Sequence, residues 1–119
     1  MYRCLRALAL AILPTLFPAA AVAQQACSAA EYRQFDFWVG KWEVTAKDRV
    51  AGHNEITLEE GGCVVHEHWT GAGGSTGQSF NVYDRSGRRW HQFWVDNSGT
   101  VLHLTGRLDS GVMRLTSCK

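Results

Sequence analysis

The chain has 119 residues, with 12 Lys and Arg against 11 Asp and Glu, 5 Trp and 5 Phe. So even a charge balance, without a run of Lys or Arg, excludes the electrostatic footprint of a nucleic-acid binder. The length admits one small domain and little more.

Residues 1–23 read as a secretory signal peptide. Arg3 and Arg6 form the basic start, and the apolar run from Ala7 to Phe17 is too short to span a bilayer. Ala21-Val22-Ala23 then supplies the small-x-small pattern of a cleavage site. An uncleaved anchoring helix is the other reading of this stretch. Cleavage after Ala23 leaves 24–119 as the folded domain, periplasmic or secreted. No second hydrophobic segment predicts a membrane span. Cys27 follows Gln24-Gln25-Ala26, not a Leu-Ala-Gly stretch, so no lipid anchor is expected there.

Export implies an oxidising compartment. Cys27, Cys63 and Cys118 are an odd number, so at most one internal bridge forms. Cys27 with Cys63 is the preferred pair, tying the N-terminal segment to the third strand and leaving Cys118 over.

Ser28-Ala29-Ala30-Glu31 is a capping-box pattern, which predicts a short helix through about Phe35. The rest reads as strands broken by Gly-rich turns. They are expected over Val39 to Lys47, Val50 to Glu60, Cys63 to Thr70, Ser75 to Asp84, Arg88 to Asp96, Thr100 to Leu108 and Val112 to Thr116. On the first, Gly40, Trp42 and Val44 share one face. Strands at this spacing form an antiparallel meander, which buries its apolar face by curling into a barrel.

Phe35-Asp36-Phe37-Trp38-Val39-Gly40-Lys41-Trp42 resembles the opening of lipocalin-like (calycin-type) barrels, where Gly-x-Trp sits on the first strand after a short helix. With GGCVVHEHWTGAGGSTGQSFNVYD and RWHQFWVDNSG, it is similar to a family of exported bacterial lipocalin-like proteins without an assigned activity. The resemblance runs from Cys27 to about Leu115. It implies an all-β barrel plugged by the helix, with Phe35, Phe37 and Trp38 closing one end and Trp42 filling the bottom layer. Gly40 would let a neighbouring ring or backbone lie over the strand. Such barrels run to eight or more strands. The pattern here reaches seven, so the barrel is expected to be incomplete at the C-terminus and open at two edges. Those edges invite a homo-oligomer. A fragment of a longer barrel, without a function of its own, is the alternative.

His66-Glu67-His68 places two imidazoles on one strand face, a start toward a zinc site that His91 or His103 would extend. One of these histidines could equally serve as an axial haem ligand. Exposed strand histidines are the plain alternative. Trp90, Gln92 and Trp94 share a face of the fifth strand, and with Asn81 and Tyr83 of the fourth they suggest an apolar cavity with a few polar anchors. Gly71 to Ser75 lacks the Lys and helix of a phosphate loop. Ser75 and Ser79 form no nucleophile–base motif. Glu67 and Asp96 form a conceivable carboxylate pair. The expected function is binding of a small apolar or amphipathic ligand among Trp69, Tyr83, Trp90, Gln92 and Trp94, with His66 and His68 as polar anchors. A barrel enzyme using His66, Glu67 or His91 is the runner-up. The sequence assigns no cofactor.

Overall fold

A computed structural model describes residues 25–117. The expected signal peptide and Cys118 lie outside the described residues.

Seven strands form in chain order: β1 (Gly40–Ala46), β2 (Arg49–Glu59), β3 (Val64–Gly71), β4 (Thr76–Asp84), β5 (Arg89–Asp96), β6 (Val101–Asp109) and β7 (Val112–Ser117). Each pairs antiparallel with the next in one sheet of order β1 to β7, curled into a half-barrel. Two-residue loops make the outermost hairpins. Lys47 and Asp48 turn β1 into β2, and Ser110 and Gly111 turn β6 into β7, all four with positive φ. That is the turn whose twist matches the flanking strands. Among the described residues, the outer sides of β1 and β7 have no strand partner.

Directly opposed residues of an antiparallel pair share a face. The register therefore draws rows across the sheet. On the concave side, Gly40, Ile56, Glu67, Ser79, Trp94 and Leu102 form one row. Trp42, Asn54, Trp69, Gly77 and Asp96 form the row toward the mouth. Toward the closed end lie Leu58, Val65, Asn81, Gln92 and Leu104, then Tyr83, Trp90, Gly106 and Leu115.

The apolar core sits at that closed end. Phe35, Ile56, Val65 and Trp90 are its buried members, with Trp38, Tyr83, Met113 and Leu115 packed against them. The Phe35 ring lies 5.3 Å from Trp90 and 5.2 Å from Trp38. The Trp90 indole N–H donates to Gln34 Oε1 at 3.2 Å. A disulfide joins Cys27 to Cys63. Arg33 donates to the Gly62 carbonyl and pairs with Asp36 at 3.3 Å. The N-terminal segment is thus fastened over the end of the half-barrel by packing, a hydrogen bond, an ion pair and a covalent link.

Several details differ from the sequence expectation. The helix is two 3₁₀ turns, Ala30–Arg33 and Asp36–Trp38, and Ala29 precedes the first with no side-chain cap. The capping box does not form, and so short a segment gains little from an α-helical nucleus. Of the three plug aromatics, Phe37 turns outward and is 61 % exposed. Trp42 does not fill the bottom layer. It stands 44 % exposed on the edge strand and donates its indole N–H to the Trp38 carbonyl at 2.7 Å. Gly40 has a φ of +140°, a region that side chains disfavour, and the Trp42 indole nitrogen lies 3.8 Å from where a Cβ would stand.

Candidate ligand-binding face

The middle of the concave face is polar. Glu67 is 8 % exposed. Its Oε1 accepts from Asn54 Nδ2 and its Oε2 from the Ser79 hydroxyl, both at 2.6 Å. Asn81 Nδ2 donates to Ser79 Oγ and to the Val65 carbonyl, each at 3.0 Å. Gln92 Nε2 reaches Ser79 Oγ at 3.4 Å. Strand alternation places these side chains: Asn54 on β2, Glu67 on β3, Ser79 and Asn81 on β4 and Gln92 on β5 all point inward. The Oδ1 atoms of Asn54 and Asn81 are buried without a partner among the described residues. Each such oxygen costs on the order of 1–3 kcal/mol.

Two indoles lie beside this network, toward the mouth. A methyl group on Gly52 would come within 2.6 Å of the Trp69 ring, and one on Gly77 would overlap the Trp94 ring. Glycine on β2 and on β4 therefore lets each indole rest against the neighbouring backbone. Each ring is pinned at its nitrogen. Trp69 Nε1 donates to Ser75 Oγ at 3.3 Å and Trp94 Nε1 to Asp96 Oδ2 at 3.1 Å.

Asp96 also gathers the β5–β6 turn. Its Oδ1 accepts from the Ser98 hydroxyl at 2.6 Å and from the backbone N–H groups of Ser98 and Thr100. The Ser98 hydroxyl first, then the Trp94 indole, hold this carboxyl well below the usual carboxylate range. Glu59 is likewise lowered, by the Thr57 hydroxyl and then by His66. Both folded-state values lie below the unfolded ones. Their stabilisation is thus complete above about pH 4.5 and is lost as pH falls through the folded values. Urea midpoints measured at pH 7 and pH 3 should show the acid loss, and Asp96→Asn should remove part of it. An identical pH dependence in Asp96→Asn would contradict the role given to Asp96.

The residues singled out from the sequence divide into three groups. Trp69, Gln92 and Trp94 line the concave face beside the polar network. Tyr83 and Trp90 share that face but belong to the core under the plug, with Trp90 only 2 % exposed. His66 and His68 lie on the opposite, convex side and do not anchor anything held among the tryptophans. His66 has both ring nitrogens engaged, Nδ1 at 3.0 Å from Glu59 Oε1 and Nε2 at 2.9 Å from Gln78 Oε1. Its ring stacks on Phe80. His91 and His103 are also convex, with Nδ1 of the first 2.9 Å from Nε2 of the second and Phe93 stacked on both.

The outward histidines therefore offer no imidazole to the interior, for haem or for acid–base work with Glu67. Among the described residues, no group of three or more His, Cys, Asp or Glu gathers where it could hold a metal. Nor, among them, is any helix long and apolar enough to cross a membrane. Glu67 and Asp96 share the concave face, each occupied with its own donors. Asn54 and the hydrogen-bonding role of Ser79 go beyond the residues that the sequence pattern singles out. The legible signal was a polar side chain in register with Ile56 and Leu58 on an otherwise apolar face.

The fold and site define an open antiparallel half-barrel with a polar centre and a tryptophan-lined mouth. Comparison with known proteins finds no matching family model, no matching curated protein and no matching solved structure.

Proposed function

We propose that the protein binds a small amphipathic ligand on the concave face, its apolar body against Trp69 and Trp94 and its polar end at the Glu67 network. One observation carries this: a hydrogen-bonded polar group of five side chains, Asn54, Glu67, Ser79, Asn81 and Gln92, occupies the middle of an interior face. A face serving only as core would be more stable with apolar residues there. Apolar walls around a few convergent polar groups are the usual makeup of a small-molecule site. The reading includes export to an oxidising compartment. The leader pattern of residues 1–23 and the Cys27–Cys63 bond support it. It also keeps the lipocalin-like resemblance as the family proposal.

Tryptophan fluorescence titrated with a hydrophobic dye tests the binding. The native protein should give a saturable change. In Gly77→Ala the added methyl displaces the Trp94 indole, so affinity should fall about tenfold, equivalent to 1.4 kcal/mol. A flat response from folded protein would end the proposal. Unchanged affinity in Gly77→Ala would remove Trp94 from the site.

A further inference from the structure

We infer that the polar end of the ligand is an organic cation, an amine or quaternary ammonium group on an apolar body. This rests on the proposal that the concave face binds a ligand, and adds its charge.

Among the described residues, the inner face has a surplus of acceptors and no positive charge. None of the rows that cross it contains Lys, Arg or His, while Glu67 and Asp96 both stand in them. Glu67 is buried, and among the described residues it accepts from two neutral donors, Asn54 and Ser79. A carboxylate offers about four acceptor positions, so capacity remains. Beside it, the Oδ1 atoms of Asn54 and Asn81 are buried and unpartnered, and those residues are only 8 % and 1 % exposed. A buried carboxylate without a cation is costly, and burial without further hydrogen bonds adds to the cost.

Three ligand chemistries can be ranked against this lining. An anionic head group meets like charge with no cation to receive it. A purely apolar ligand leaves the amide oxygens unpaired and the carboxylate uncompensated. A cationic head offsets Glu67. The indole faces of Trp69 and Trp94 at the mouth add cation–π attraction, which is strongest for Trp. Asp96 at the rim contributes further negative charge to the entrance.

The test is a chain-matched series: decyltrimethylammonium, decyl sulfate and decanol, each titrated below its micellar concentration and followed by tryptophan fluorescence. The cation should bind at least tenfold more tightly than the sulfate. Glu67→Gln, checked for fold by circular dichroism, should remove most of that preference. Equal binding of all three, or preference for the sulfate, overturns the charge assignment and leaves ligand binding standing. Binding by none overturns both. A cation preference that survives in folded Glu67→Gln overturns the role of Glu67. Should Glu67→Gln not fold, the series on the native protein decides alone.

Discussion

Trp90→Ala lowers the free energy of unfolding by about 3–5 kcal/mol, the cost of deleting a large buried aromatic and leaving a cavity. Trp90 is the largest fully buried side chain of the described fold and lies at the centre of the closed end. Its ring meets Phe35 from the N-terminal segment and Tyr83 from β4 at 5.3 and 5.8 Å. Its loss also strands Gln34 Oε1, the acceptor for its indole N–H. Domains are stable by about 5–15 kcal/mol, and one with a four-residue buried apolar core falls toward the lower end. The variant should therefore be largely unfolded in low urea. Far-ultraviolet circular dichroism is the right probe, because the substitution removes a fluorophore. Trp90→Phe keeps most of the volume and should lose much less. A Trp90→Ala urea midpoint equal to the native one would sink the account of a plug held by this residue.

Breaking the disulfide has the second largest effect. Cys27 and Cys63 close a loop with a sequence separation of 36, which in the chain-entropy model stabilises by about 3–4 kcal/mol. The paired substitution Cys27→Ser with Cys63→Ser should show this as a lower urea midpoint than the oxidised protein. The loss should also appear locally. The bond holds the same segment that carries Gln34 and Phe35, so hydrogen exchange should accelerate first in the two 3₁₀ turns. The disulfide and Trp90 both fasten the plug, and residues with a shared role are not additive. Combining the changes should cost less than the sum of each alone. Full additivity would mean that the two act on independent parts of the fold.

The convex side explains why the histidines misled the site assignment. His66 and His68 share a strand with Trp69, and adjacent strand residues point to opposite faces whatever the fold. Trp69 and His68 thus could not both face the interior. Sequence spacing left open which face turns inward. That depended on the plug: Phe35 docks on Trp90, Ile56 and Val65, and this face becomes the interior. The resulting outward set stacks its rings on Phe80 and Phe93.

The strand pattern is legible in the residues alone. Two-residue alternation between Gly-rich turns places all seven strands to within about one residue, and hence the antiparallel meander. Within each strand it also assigns which side chains travel together, as with Trp90, Gln92 and Trp94. The tertiary structure decided how those sets combine across strands. Alternation has the same form on every strand and carries no label for inside or outside. Only the hairpin turns, the register and the docked plug bring Asn54, Glu67, Ser79 and Asn81 from three strands into one network. The 3₁₀ form of the plug was equally a tertiary outcome. The capping box promised local support, but the contacts made by Phe35, Gln34 and Cys27 are long-range, and they decide where so short a segment lies.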